Sequence, residues 1–167
     1  MKVKKIPVPA GSLIGKMPGA DYTDAFRVEF ERDIPASADD LSVAFWTDRP
    51  TWVERLFRWR NAVVRVVGLK GGSPGDDGAL EKCIREGGRY GLFEQAGKNA
   101  EETVLLLKDK HLNAYMSVIK QHEAVAVCTV VHYHNALGRI YFWVIRPFHG
   151  WVVRGMLYRA VKKYSPQ

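Results

Sequence analysis

The second half of the chain contains five short segments rich in β-branched and aromatic residues. They are residues 91–96, 103–108, 112–120, 124–134 and 139–145. Apolar runs of this length, bounded by turn residues, predict β-strands. The dipeptide Asp109-Lys110 and residues 135–138 are short enough to form tight turns, so consecutive strands should pair as an antiparallel meander.

The C-terminal segment shows the clearest helical periodicity. Apolar residues recur at spacings of three and four from Val153 to Tyr164, with basic residues largely opposite. Pro147 suits a first helical turn, where its missing N–H costs nothing, so the pattern predicts a helix over residues 148–164. Burying five large apolar side chains at ~1.5–3 kcal/mol each would contribute roughly 8–15 kcal/mol as an upper bound. The helix is therefore expected to belong to the core.

The first half of the chain predicts a strand followed by two helices. Residues 25–31 alternate apolar and polar side chains, as in a half-buried strand. Ser37 with Asp40 predicts a near capping box for a short helix, and Pro50 predicts the first turn of the next helix. The glycine-rich residues 71–78 lack the pattern of a phosphate-binding loop and predict a flexible connection.

The order of these elements predicts an α+β helix-grip fold. A curved antiparallel sheet would wrap around the long C-terminal helix, with two short helices after the first strand. Residues 1–21 are rich in proline and glycine and are expected to be an irregular N-terminal segment. Residues 22–167 are expected to form one domain.

Composition places the chain among ordinary soluble globular proteins. It has 167 residues, of which 47% are hydrophobic and 26% charged. Its two cysteines, Cys83 and Cys128, do not make a disulfide framework, so a reduced, cytoplasmic protein is expected. No apolar run approaches the roughly 20 residues of a membrane span, and the N-terminus lacks the apolar region of a secretory signal.

The net charge of +7 is concentrated in residues 49–70 and 147–167. Two solvated basic helix faces explain this distribution most simply. A membrane surface or an acidic partner remains an open alternative. No nucleic-acid partner is expected, because no recognised binding motif accompanies the charge.

Three blocks of the chain resemble domain-of-unknown-function family 2867. They read GSLIGKMPGADYTDAFRV, PTWVERLFRWRNAVVRVVGL and HNALGRIYFWVIRPFHGWVVRGML. That family is similar to the START and plant-allergen superfamily of helix-grip proteins, so the resemblance implies the same fold. Members of that superfamily hold lipids or other apolar ligands under the last helix, and some are aromatase/cyclases. Members of the family also occur fused behind a reductase-like domain. The resemblance implies no established activity.

The polar residues that could bind a metal or take part in catalysis are scattered along the sequence. His132, His134 and His149 do not supply a ligand set that the sequence can assign, so no metal and no cofactor is expected. Asp21 and Asp24 lie three residues apart and allow an acid/base pair, although capping or an ion pair is the commoner use of such residues. Cys128 lies within an apolar strand, where a thiol is normally inert.

A hairpin of the strands at 124–134 and 139–145 would separate two faces. It would pair His132 with Tyr141 and Val131 with Phe142. One face would be almost pure hydrocarbon and should meet the last helix. The other face is expected to be covered by residues 1–21 or by a second copy in a homodimer, and it would carry Cys128, Val130, His132, His134, Arg139, Tyr141, Trp143 and Ile145.

The leading functional hypothesis is the binding of an apolar or amphipathic small molecule in a cavity between the sheet and the last helix. The residues expected to line this cavity are Tyr133, Phe142, Val144, Met156 and Leu157, for which plain core packing is the structural alternative. A cyclase or isomerase is the second hypothesis, with protons transferred by His132, His134, Arg139 or Tyr141. A non-catalytic interaction module for a reductase-like partner is the third.

Overall fold

The computed structural model of the protein describes residues 1–18, 20–30, 33–66 and 75–165, and for residues 63–66 it describes the backbone alone. The strands are β1 (Val3–Ile6), β2 (Tyr22–Glu29), β3 (Arg89–Tyr90), β4 (Phe93–Lys98), β5 (Glu102–Lys108), β6 (Leu112–Gln121) and β7 (Ala124–Tyr133). The helices are α1 (Ala38–Thr47), α2 (Thr51–Val66), α3 (Asp77–Glu86) and α4 (Ala136–Tyr164). A 3-10 turn covers Ile14–Lys16.

All seven strands form one antiparallel sheet in the order β1-β2-β7-β6-β5-β4-β3. The strands from β3 to β7 follow one another as the predicted meander, and β2 returns to pair along β7. The long helix α4 packs on one side of this curved sheet, together with α1. The α+β helix-grip fold predicted from the sequence is therefore confirmed.

The strand predicted at residues 139–145 is wrong, because these residues form the first turns of α4. Asn135 is the N-cap, and its side chain accepts a hydrogen bond from the backbone N–H of Gly138 at 3.1 Å. The predicted turn at residues 135–138 is thus a helix start. Pro147 lies inside α4 and does not open it. A run of aromatic and β-branched residues suits a strand locally, but buried positions at helical spacing from Gly138 onward let this run cover the sheet as a helix.

The predicted hairpin is consequently wrong as well. Strand β7 pairs with β6 and β2, so His132 lies opposite Asn113 and not opposite Tyr141. The assignment of faces within β7 is nevertheless confirmed, because Val127 belongs to the apolar core shared with α4. We call the side of the sheet that faces α4 the inner face and the opposite side the outer face.

The outer face is covered by the N-terminal segment, as one of the two sequence-based alternatives expected. Ile14 is fully buried against Cys128 and Val130. The carboxylate of Glu102, itself 2% exposed, accepts hydrogen bonds from the backbone N–H groups of Leu13 and Ile14. Residues 1–21, predicted to be irregular, thus contain β1 and the 3-10 turn that closes this face.

The first two helices follow the sequence prediction closely. Ser37 and Asp40 form the complete capping box of α1, and α2 begins directly after Pro50. Helix α3 was not predicted. The side chain of Asp76 caps its N-terminus by accepting hydrogen bonds from the backbone of Gly78 and Ala79 at 2.9 and 3.2 Å. Residues 71–74 of the predicted flexible connection lie outside the described residues.

In the part of the chain that the structure describes, none of the helices combines the length and the apolar character needed to cross a membrane.

The close approach of α4 to the β5–β6 turn gives a stability prediction. A Cβ atom at Gly138 would lie 2.0 Å from the carbonyl oxygen of His111, a backbone atom that cannot rotate away. Gly138→Ala is therefore expected to lower the free energy of unfolding by at least about 2 kcal/mol. Urea denaturation measures the change.

Gly155→Ala is the matched control within the same helix. Its added Cβ would meet the ring of Trp52 at 2.7 Å, but that side chain is 46% exposed and can move. The higher helix propensity of alanine, worth about 1 kcal/mol, should offset the displacement. If the two substitutions destabilised the protein equally, the close approach to the backbone of His111 would not be the reason why residue 138 has to be glycine.

Candidate functional site

A cavity of about 200 Å³ lies between the inner face of the sheet and α4, and α2 borders it as well. The sheet supplies Leu107, Ala114, Met116, Thr129 and Val131. Helix α4 supplies Phe142, Val144, Ile145, Phe148, His149, Val152, Val153 and Met156. Helices α1 and α2 complete the wall with Phe45, Trp46, Leu56, Phe57 and Trp59. The lining is predominantly apolar and aromatic, as is usual for small-molecule sites.

Polar groups border the cavity at two places. One is the rim near α2, where Arg60 donates a hydrogen bond to the hydroxyl of Tyr141. Arg49, Lys108, Asp109 and His111 also border the cavity. The other is the wall formed by Thr129 and His149, beneath the middle of α4. The site therefore combines a basic rim with one polar spot inside an apolar wall.

Three of the five residues predicted to line the cavity border it. Phe142, Val144 and Met156 form part of its α4 wall. Tyr133 packs against Phe142 with ring centroids 5.8 Å apart, away from the cavity. Leu157 is fully buried in the neighbouring core of α1, α4 and the sheet.

The alternative polar site is dispersed in the structure. Tyr141 borders the rim of the cavity. His132 Nδ1 lies 3.1 Å from Asp21 Oδ2, and His134 Nδ1 lies 3.2 Å from the carbonyl oxygen of Lys110, both away from the cavity. Arg139 is exposed in the first turn of α4. The four residues were expected to share one strand face, and the helical conformation of residues 139–145 separates them.

The structure brings together a buried polar cluster that the sequence did not assign as a site. The side chain of Asp24, on the inner face of β2, is 1% exposed. Its Oδ2 accepts a hydrogen bond from the hydroxyl of Tyr22 at 2.8 Å and lies 3.4 Å from His149 Nε2. The same nitrogen is 3.2 Å from Thr129 Oγ1. Asp24 Oδ1 is buried and has no hydrogen-bond partner within the described residues.

The environment of this cluster perturbs two titrating groups. Burial alone would raise the pKa of Asp24, but hydrogen bonding to His149, the charge of that imidazole whenever it is protonated, and the hydroxyl of Tyr22 hold the pKa below its usual value. Burial raises the pKa of Tyr22, and its hydrogen bond to the Asp24 carboxylate raises it further. Asp24 is thus held as a carboxylate in an apolar setting.

One signal in the sequence indicates that Asp24 is unusual. The side chains of a strand alternate between faces, so Asp24 shares the inner face with Phe26 and Val28. A carboxylate on an otherwise apolar face requires a partner. That partner, His149, comes from the far end of the chain, and its position depends on the true start of α4.

Other reactive groups do not add to the site. Burial, followed by the nearby charge of Glu102, raises the pKa of the Cys128 thiol to about 12, so this thiol is unreactive at neutral pH. Among the described residues, no group of three or more His, Cys, Asp or Glu side chains is arranged to hold a metal ion.

The buried carboxylate gives a prediction about stability and pH. Asp24→Asn is expected to lower the free energy of unfolding at neutral pH by about 1–3 kcal/mol, the range for losing hydrogen bonds to a charged group. The pKa of Asp24 is lower in the folded protein than its ordinary value of 3.8. The stabilisation of the fold by the Asp24 carboxylate is therefore complete above that ordinary value. It is lost as the pH falls through the pKa that Asp24 has in the folded protein.

The difference in stability between wild type and Asp24→Asn should accordingly shrink below about pH 4. Urea unfolding at neutral and acidic pH measures it. Thr129→Val removes a hydroxyl whose hydrogen bond also lowers the pKa of Asp24, so it should show a smaller pH dependence of the same sign. A difference for Asp24→Asn that is the same at both pH values would contradict the lowered pKa.

The family model described as "Protein of unknown function (DUF2867)" matches residues 16–156, a range that includes both Asp24 and His149. Comparisons with curated proteins and with solved structures gave no match. The chain belongs to the DUF2867 family, whose description assigns it no activity.

Proposed function

We propose that this protein binds an apolar or amphipathic small molecule in the cavity between the sheet and α4. The unfilled apolar space carries this proposal, because protein interiors are normally packed as densely as organic crystals. A cavity of about 200 Å³ would, if closed and empty, cost roughly 5 kcal/mol at about 24 cal/mol per Å³. Whole domains are stable by only ~5–15 kcal/mol. A ligand that fills the space removes that cost.

The dimensions of the cavity limit the ligand. An engineered apolar cavity of about 150 Å³ holds one benzene molecule, so about 200 Å³ suits a single substituted ring or a short branched chain. The rim residues Arg49, Arg60 and Lys108 suit a polar or anionic end of such a molecule. The similarity of the family to the START and plant-allergen superfamily supports the same proposal, since members of that superfamily hold apolar ligands at this place.

A cytoplasmic location forms part of the proposal. Cys83 and Cys128 are both buried and both free. Two thiols that remain unpaired suit a reducing compartment.

A homodimer also forms part of the proposal. Trp143 is 73% exposed and Trp151 is 63% exposed on the surface of α4. Further exposed apolar side chains on the same helix are Ile140, Val144, Phe148 and Tyr158. Exposed apolar patches of this kind mark interaction sites, and two-fold dimers are the commonest soluble oligomers.

Filling the cavity tests the binding proposal. Ala114→Phe places a ring into the cavity wall on β6 and is expected to weaken the binding of toluene by at least about tenfold, because both rings need the same space. Ala136→Phe, at an exposed position, should leave binding unchanged. Ligand-observed NMR titration measures both affinities. Equal binding of toluene by wild type and Ala114→Phe would contradict this location.

The natural ligand can be identified separately. Native mass spectrometry of the protein purified from its own host is expected to show a retained small molecule, and Ala114→Phe should lack it.

The dimer proposal predicts a change in assembly. Trp143→Glu is expected to convert a wild-type dimer into a monomer, because a charge in an apolar contact is costly to desolvate, and it should leave the melting of the fold intact. Trp143→Phe keeps the apolar contact and should remain dimeric. Analytical ultracentrifugation distinguishes these outcomes, and a monomeric wild type would contradict a dimer through this face.

A further inference from the structure

Asp24 is a buried carboxylate, and removing this charge from water costs free energy. It lies on the inner face of β2, its side chain is 1% exposed, and Oδ1 has no hydrogen-bond partner within the described residues. Burying a charged group with an unsatisfied oxygen opposes folding. The arrangement therefore points to a use of the carboxylate beyond stability.

His149 connects this carboxylate to the cavity. Its ring lines the cavity wall, and its Nε2 faces Asp24 Oδ2 at 3.4 Å and Thr129 Oγ1 at 3.2 Å. A carboxylate beside one ring nitrogen of a histidine favours the tautomer that carries the proton on that nitrogen. In the neutral imidazole the other nitrogen, Nδ1, is then an acceptor, and no described residue donates a hydrogen bond to it.

We propose that His149 Nδ1 accepts a hydrogen bond from a hydroxyl group of the ligand, with the imidazole held in place by Asp24. The site would then select small hydroxylated ring compounds, such as phenols, over hydrocarbons and ethers of similar shape. This inference rests on the proposed function, because it requires a ligand in the cavity. Asp24 acts as a positioning residue, since its carboxylate contacts His149 and not the ligand.

The residues of the cavity wall explain why the site should bind hydroxylated ligands more tightly than hydrocarbons. Away from the rim the cavity wall is hydrocarbon and aromatic, so a ligand hydroxyl held deep in the cavity would find its partners at His149 and Thr129. A site that hydrogen-bonds a ligand hydroxyl discriminates strongly against the analogue that lacks it, because both polar groups would otherwise be left unpaired.

Three probes of nearly equal shape test this inference. Toluene has no polar group, p-cresol adds a hydroxyl donor, and 4-methylanisole has an ether oxygen that accepts but cannot donate. Wild-type protein is expected to bind p-cresol about tenfold more tightly than toluene and to show no such gain for 4-methylanisole. Isothermal titration calorimetry measures the three affinities.

Substitutions of His149 and Asp24 test whether the preference for p-cresol depends on these two residues. His149→Phe keeps a ring of similar size and should abolish the preference for p-cresol while toluene still binds. Because this substitution leaves Asp24 buried without its partner, the double variant with Asp24→Asn provides a second form that removes both groups. Asp24→Asn alone should reduce the preference several-fold with unchanged toluene affinity, which a merely structural role would not produce.

His132→Phe is the matched control. His132 also lies beside an aspartate, Asp21, but away from the cavity, so this variant should keep the full preference for p-cresol. Preference retained in folded His149→Phe, or a stronger gain for 4-methylanisole than for p-cresol, would overturn the inference. If toluene binds and p-cresol gains nothing, only this inference fails. If no probe binds, the proposed function fails and the inference fails with it.

Discussion

Gly138 allows the first turn of α4 to pass so close to the backbone of His111 that no side chain fits between them. The other end of the helix is fixed by a different contact, in which Leu157 and Val161 are fully buried in the core shared with α1. Between these two fixed ends the helix crosses the inner face of the sheet. The cavity lies beneath this middle stretch, which also contains Pro147 and its missing N–H.

The two sides of the sheet are closed in different ways. On the outer face, Ile14 and its neighbours fill the space above Cys128 and Val130 with side chains from the N-terminal segment. On the inner face, the centre of the helix contacts β2 and β7 through His149, and space remains between the helix, the strands β5 to β7 and α2. A short, irregular segment can follow a curved surface closely, whereas a helix of 29 residues cannot. The difference places the unfilled volume on the inner face.

Much of this architecture was predictable because local patterns decided it. Four strands of the meander rest on apolar runs bounded by turn residues, and the capping box of α1 rests on side-chain capping; the structure confirms them. The segment 139–145 shows where local reasoning failed. Its aromatic and β-branched residues favour a strand, and Pro147 suggests a helix start. The competing signal was Asn135 as an N-cap for Gly138, and tertiary packing of the helix on the sheet decided between them.

The candidate site was less predictable, because it depends on distant parts of the chain meeting. Phe142 and Val144 were predicted from a hairpin that does not exist. Both border the cavity from α4, Phe142 as a buried side chain and Val144 as one that is 41% exposed. The sequence offers Asp24 and His149 as separate candidates and does not indicate that their side chains are in contact. Their contact requires the pairing of β2 with β7 and the correct start of α4. The sequence alone contains no local pattern that fixes either of these.

The buried carboxylates of Glu102 and Asp24 illustrate how a structural role differs from a candidate functional one. Glu102 uses both oxygens, which accept hydrogen bonds from the backbone of Leu13 and Ile14 and fix the segment that covers the outer face. This accounts fully for its burial. Asp24 leaves one oxygen without a partner and shares the other between Tyr22 and a histidine that lines the cavity. Stability explains the first arrangement completely. It does not explain the second, in which a buried charge keeps the orientation of an imidazole fixed at the wall of an unfilled apolar space.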